Sequence, residues 1–271
     1  MKAVLIDADI IAYRSASSVE SRHIKLQERV LNVSGLFSRQ EVLWAKAELR
    51  SMDKIGLKVF TNMVAGDLVS SILFDCFYPA SYSLGEDVFL YLTGKGNFRY
   101  EIATIKPYKG NRVGKEKPRH LSDVRDYLVS EWGAVVIEGS EADDAIATKA
   151  TELGGDCIIV SVDKDFLQVP STMYDFTKKK WTKVDKTQGN RFFYLQLLTG
   201  DTADNIQGVS GVGPKKAEKA YEGCTNEKEY FDAALNMYDG DLDALVENAR
   251  LLWLRRKPEE MWEPPNAREP D

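Results

Sequence analysis

Ala3-Val4-Leu5-Ile6-Asp7 is four apolar residues in a row closed by an acid. That is the pattern of a strand buried on both faces of a parallel sheet, with a carboxylate at its C-terminal end. The figure recurs as VFLYL before Thr93, as AVVIE ending at Glu138 and as CIIVSV ending at Asp163. Between these runs, apolar residues at helical spacing predict helices over Ser38–Met52, Asp67–Phe77, Leu121–Trp132 and Glu141–Leu153, the first with Ser38 and Glu41 at capping-box spacing. Strands alternating with helices predict an α/β fold: a mostly parallel central sheet with helices on both faces, and ligands beyond the carboxyl ends of the strands. Thr172–Lys186 alternates as a hairpin at one sheet edge. From about Asn190 the pattern is helical only, with helices near Glu227–Tyr238 and Leu242–Arg255. The expected organisation is an α/β core over 1–188, a helical region over 189–257 and a flexible, Pro-rich tail over 258–271.

With 271 residues, 44% of them hydrophobic, the chain can bury a sizeable core without covalent staples. Three widely spaced cysteines, Cys76, Cys157 and Cys224, fit neither a disulfide framework nor a zinc site and suit a reducing compartment. Neither a leader nor a membrane-spanning stretch is expected, so the sequence reads as a soluble cytoplasmic protein, in a host's cytoplasm if phage-encoded. A formal net charge of -6 argues against a nucleic-acid partner until its distribution is read. Lys106, Lys109, Arg112, Lys115, Lys117 and Arg119 share their stretch with one acid, Glu116, and further bases cluster at Lys178–Lys180 and at Lys215, Lys216 and Lys219. Acids bunch at Glu141–Asp144, Asp163–Asp165 and Asp201–Asp204.

Asp7, Glu141, Asp143, Asp144, Asp163, Asp165, Asp201 and Asp204 all fall at the ends of expected elements. Acids opening a helix, as Glu141–Asp144 do, are by themselves ordinary partners of the helix dipole. Eight carboxylates crowded without counterions, however, would be costly. Hard oxygen donors without His or Cys suit Mg2+ or Mn2+, and two such ions about 4 Å apart can drive phosphodiester hydrolysis. Gly208, Gly211 and Gly213, then Pro214, Lys215 and Lys216, read as a turn and helix start that grips a DNA phosphate without reading bases. Tyr108, Lys109 and Arg112 read as a base-stacking aromatic beside phosphate-binding cations. LIDADII also matches the DxD opening of haloacid-dehalogenase-type phosphatases, and a DNA-binding module without catalysis is a third reading.

The motifs LIDAD, NFRYEIATIKPYKGNR, EGSEADDAIAT, VSVDKDFLQV and LLTGDTADNIQGVSGVGPKKA, in this order from Met1 to about Tyr221, resemble the flap endonuclease and 5′-3′ exonuclease superfamily of phage and bacterial polymerase 5′ nucleases. The resemblance implies a PIN-like fold and a metal-dependent 5′ nuclease of replication, repair or recombination. Its substrates would be DNA 5′ ends, flaps and duplex, possibly also RNA-DNA hybrids, and it would act as a monomer and leave 5′-phosphate products. It makes Asp7, Asp143, Asp144, Asp163 and Asp165, with Glu141 beside them, ligands of one ion, and Asp201 and Asp204 ligands of a second. Lys109 and Arg112 become the basic pair of an arch over about 106–121. The turn Gly208–Lys216 becomes a helix-three-turn-helix that binds duplex and a K+ ion. Two departures stand out: Thr93 lies near the place of a usual outer Asp ligand, for which Asp9 is a candidate substitute, and the stretch Arg22–Leu57 is additional.

Overall fold

In the computed structural model the strands are β1 (Ala3–Asp7), β2 (Val88–Thr93), β3 (Val135–Ile137), β4 (Cys157–Val160), β5 (Ser171–Asp175) and β6 (Lys180–Val184), followed by the short pair β7 (Gly200–Asp201) and β8 (Ile206–Gln207). The helices are α1 (Ala8–Val33), α2 (Lys54–Phe77), α3 (Arg99–Ile102), α4 (Leu121–Trp132), α5 (Ala142–Glu152), α6 (Lys186–Thr199), α7 (Pro214–Ala220), α8 (Glu227–Met237) and α9 (Leu242–Leu252). The structure describes residues 2–33, 54–77, 83 and 87–265, so the helix expected over Ser38–Met52 lies outside the described residues. Two units divide the chain: Met1–Asp7, Thr93–Lys115 and Val136–Asp271 form one, Ala8–Leu92 and Glu116–Val135 the other.

In the first unit β1 pairs in parallel with β4, Val4 opposite Ile158, and β4 in parallel with β5. The mostly parallel α/β class expected from the apolar runs is what forms. β6 returns antiparallel to β5, making the expected edge hairpin. Val4, Leu5, Ile6, Ile159 and Val160 are fully buried, because strands covered on both faces can carry no alternating polar side. Helix α5 lies on β1 and β4 through Ile146, Ala147 and Ala150, whose small side chains allow close approach. From α6 on, apart from the short pair β7 and β8, the chain is helical and packs around Phe193, Tyr194, Tyr221, Tyr230 and Trp262. Trp262 corrects the expected tail: the indole is 2% exposed, and the backbone carbonyl of Trp262 accepts Arg250 Nε–H at 3.1 Å. Burial of an aromatic of this size contributes on the order of 3 kcal/mol, enough to hold a Pro-rich segment in place.

In the second unit α1, α2 and α4 pack on one another through Ile11, Ala12, Ala65, Val69, Leu73, Val124 and Leu128. The sequence reading did not foresee α1, and it began α2 too late. It also expected no segment of membrane-spanning length. That is corrected: Leu57–Phe77 is long and apolar enough to cross a membrane by length and composition, although a third of it is buried here.

Candidate metal centre and its basic flank

The carboxyl ends of β1 and β4 set the first acids. Asp7 accepts a hydrogen bond from Ser161 Oγ at 2.9 Å, and the same Ser161 Oγ accepts the N–H of Asp163 at 3.0 Å. Asp163 then caps a 3₁₀ turn over Lys164–Gln168, its Oδ1 accepting Asp165 N–H at 2.9 Å. Side-chain capping satisfies backbone donors that the turn leaves open, so this local chemistry fixes where both acids stand. Helix α5 supplies the facing group, with Glu141 as its N-cap residue and Asp144 accepting Glu141 N–H at 3.2 Å. Thr93, in place of an acid, accepts Ala142 N–H on its hydroxyl at 3.0 Å and so caps the same helix end.

These acids face one another. Burial, then the charges of Asp7, Glu141 and Asp163, push the Asp143 carboxyl well above the usual carboxylate range, against the pull of Lys109. Burial, then Asp163 and Asp201, push Asp165 up to about 7. Among the described residues no three Asp, Glu, His or Cys side chains already stand at coordination spacing. The donor set nevertheless fits a hard divalent cation: every donor is oxygen, and crowded like charges keep protons that a cation would replace.

Other acids already hold cationic side chains. Asp144 is 2% exposed, and both its oxygens accept from Arg99, at 2.6 and 2.9 Å. Burial alone would raise its pKa, but the guanidinium holds the carboxyl below its ordinary range. Asp201, 3% exposed, meets Lys164 Nζ at 2.8 Å. Asp204 meets Arg112 at 2.6 Å and Lys109 at 3.8 Å, and Lys109 also pairs with Glu141. Tyr108 corrects the expectation of base stacking: its ring is 4% exposed, and its hydroxyl lies 3.0 Å from Glu141 Oε2 and 2.9 Å from Asp204 Oδ2. A single phenolic proton can serve one of those carboxylates at a time. Asp9 pairs with Arg125 in the second unit. Sequence reasoning assigned no role to Arg99, Ser161, Lys164 or Gln196, whose amide donates to Asp165 at 2.6 Å. Arg99, Ser161 and Lys164 do lie inside the motifs NFRYEIATIKPYKGNR and VSVDKDFLQV.

Over 173 residues the chain is 33% identical to flap endonuclease Xni of Vibrio campbellii, covering 57% of this chain and 65% of that protein. It is 36% identical over 135 residues to flap endonuclease Xni of Shewanella piezotolerans, 42% of this chain and 51% of that one, and 39% identical over 124 residues to 11% of DNA polymerase I of Rhizobium leguminosarum. It thus spans between about half and two thirds of the length of these Xni relatives. No family model matches. The fold is that of the T5 D15 protein co-crystallized with metal ions, with a TM-score of 0.60 at 17% identity over 93% of this chain and 89% of that one. The zinc-bound T5 5′-exonuclease aligns with a TM-score of 0.58 at 18% identity, over 93% and 89%. In sequence the chain is thus similar to flap endonucleases, and in fold to the T5 5′-exonuclease.

The glycine-rich turn after Asp204 is the second feature of interest. Gly208 sits so close to β7 that a Cβ there would lie 2.3 Å from both Gly200 N and Leu198 O, so its glycine is demanded by packing. Gly211 takes a left-handed φ of 71°, Gly213 is the N-cap of α7 and Pro214 its first residue. Lys215 and Lys216 are exposed, the latter donating to Gly211 O at 3.1 Å. A cavity of about 430 Å³ is lined by the turn from Gly208 to Gly213 together with Lys106, Thr199 and Asn205.

Proposed function

We propose that the chain is a divalent-metal-dependent 5′ nuclease, a 5′-3′ exonuclease or flap endonuclease, that hydrolyses DNA phosphodiester bonds to 5′-phosphate products. The observation that carries this reading is the mutual crowding of Asp7, Asp143, Asp163 and Asp165, acids brought together from β1, α5 and the end of β4. These four, with Glu141 beside them, would hold Mg2+ or Mn2+, and Asp201 and Asp204 a second ion once Lys164 and Arg112 give way. Bound there, such ions supply an activated water and neutralise the leaving oxygen.

Lys109 and Arg112 have the reach to exchange their carboxylate partners for the phosphate being cleaved, stabilising charge that develops on it. Asp144 is proposed as the anchor of α5 rather than a ligand, since Arg99 takes both its oxygens. The turn Gly208–Gly213 with Lys215 and Lys216 is proposed to hold duplex backbone, with K+ in the same turn. Action on RNA-DNA hybrids, a monomeric state and a cytoplasmic location belong to the same proposal. Among the alternatives, the phosphatase reading needs a second acid free after Asp7, and Asp9 is paired with Arg125.

Cleavage of 5′-flap, blunt duplex and single-stranded DNA, compared with and without Mg2+, tests the reading. Mg2+-dependent release of 5′-phosphate products, abolished by Asp163→Ala with DNA binding retained, is expected. Release of inorganic phosphate from small monoesters with DNA left intact would favour the phosphatase instead, and binding without cleavage the non-catalytic module.

A further inference from the structure

Helix α9 lies beyond the last motif of the superfamily, yet it holds the basic segment at two points. Glu247 Oε1 accepts the backbone N–H groups of Thr104 and Ile105, each at 2.8 Å, and Glu247 Oε2 accepts the Thr104 hydroxyl. One turn further on, Leu251 O accepts Arg99 Nε–H at 2.9 Å, and past the helix end Trp253 O accepts Arg99 Nη2–H at 2.8 Å. Thr104 thus hangs from a side chain of α9, and Arg99 from carbonyls that the C-terminal end of the helix leaves open. Between these anchors lies α3, and directly after them come Lys106, Tyr108 and Lys109.

We propose that Glu247 is a positioning residue that sets where Lys109 and Arg112 stand relative to the acids. Arg99 already ties the start of this segment to Asp144, and so to the end of α5 that carries Asp143. Further on the chain is held again by the buried Tyr108 and by Asn205 Nδ2, which donates to Pro107 O at 2.9 Å, so the stretch between α3 and Pro107 is what Glu247 governs. The Glu247 carboxylate fixes that stretch, because two N–H groups converging on one charged oxygen set both distance and direction. Held there, Lys109 N–H reaches Asp204 O at 2.9 Å, which carries the register on to the second group of acids.

The kinetic part of this inference rests on the nuclease reading, whereas the backbone part does not. The test compares Glu247→Ala, Glu247→Gln and Thr104→Val with the natural chain in three measurements. These are amide hydrogen exchange over residues 103–112, duplex affinity, and the single-turnover rate on a 5′-flap with Mg2+. For Glu247→Ala, exchange at Thr104 and Ile105 is expected to rise about tenfold. Its single-turnover rate should fall between about tenfold and a hundredfold, the size of a misplaced catalytic group, with Kd changed by less than about twofold. Glu247→Gln keeps an oxygen for both N–H groups and should recover most of the rate, and Thr104→Val, losing only the hydroxyl, should fall between. Unchanged exchange, an unchanged rate, or affinity falling in step with rate overturns the proposal. A natural chain that cleaves nothing refutes the nuclease reading while the exchange result still decides whether Glu247 holds the segment.

Discussion

Arg99 grips both carboxylate oxygens of Asp144 across 45 residues of sequence, with only 1% and 2% of the two side chains exposed. A buried pair of this kind need not stabilise the fold relative to an apolar one, but removing a single partner strands a charge in the interior. Arg99→Met and Asp144→Asn are therefore each expected to lower unfolding stability by about 3–5 kcal/mol. Urea unfolding monitored by circular dichroism measures it. Asp143→Asn is expected to do the opposite in metal-free protein, since it relieves repulsion from Asp7, Glu141 and Asp163. If both aspartates proved equally destabilising to lose, the division between anchor and ligand would be wrong.

Asp165 titrates at about 7 in the folded chain, against an ordinary value near 4, and Asp143 and Asp204 are raised as well. A raised carboxylate means that the folded state binds a proton the unfolded state has lost, so stability is full below pH ~4 and falls as pH rises to about 7. Acids held low, such as Asp144 and Asp175, act in the other direction but do so below that window. In EDTA the thermal midpoint should thus be lower at pH 7.5 than at pH 5. Mg2+ should close most of the gap by replacing the protons. Asp165→Asn should flatten the profile. A midpoint that climbs with pH in EDTA would show that the acids are not crowded.

How much of this was legible in the sequence depends on distance along the chain. Asp7, Asp163 and the start of α5 could be placed because each ends an apolar run or begins a periodic one, and those signals are local. That both strands belong to one parallel sheet followed from the same runs, whereas their being neighbours did not. What stayed hidden was who partners whom: Arg99 with Asp144, Lys164 with Asp201 and Glu247 with Thr104 are tertiary contacts that no spacing rule encodes. Tyr108 was read as exposed because it sits among Lys106, Lys109 and Arg112, yet its neighbours in space are Glu141 and Asp204. Helix α1 went unseen because its serines at 15, 17 and 18 interrupt the apolar pattern after Ile11 and Ala12.

Lys164 makes a specific statement about the second group of acids. Its ammonium lies 2.8 Å from Asp201 Oδ2, with Asp201 nearly inaccessible and Lys164 half exposed. On the proposed function, a divalent cation entering beside Asp201 would have to displace that charge and would therefore bind as the weaker of two events. An ion pair with one exposed partner is worth about 1 kcal/mol, or roughly fivefold in affinity. Lys164→Met should therefore tighten the weaker Mn2+ event in a calorimetric titration by about that factor and leave the stronger one in place. A single binding event in both proteins would mean that Asp201 and Asp204 hold no ion.

Lys109 and Arg112 now neutralise Glu141 and Asp204, and their proposed work is on the reacting phosphate. Removing a cation that meets charge only as it develops lowers turnover far more than it lowers ground-state binding. Lys109→Ala is expected to cost on the order of 10²–10³ in single-turnover rate on a 5′-flap, the range for loss of one charge-stabilising donor, while duplex affinity drops only a few-fold. Arg112→Ala should cost less, because its side chain is half exposed where that of Lys109 is mostly covered. The same substitution at Lys109 also leaves Glu141 and Asp204 with one cation fewer, so Mg2+ should bind the variant more tightly. Tighter metal binding with a slower rate separates this role from that of a metal ligand, whose loss would weaken both. A Lys109→Ala protein that cut normally, or that lost DNA binding and rate in equal measure, would remove the lysine from the chemistry.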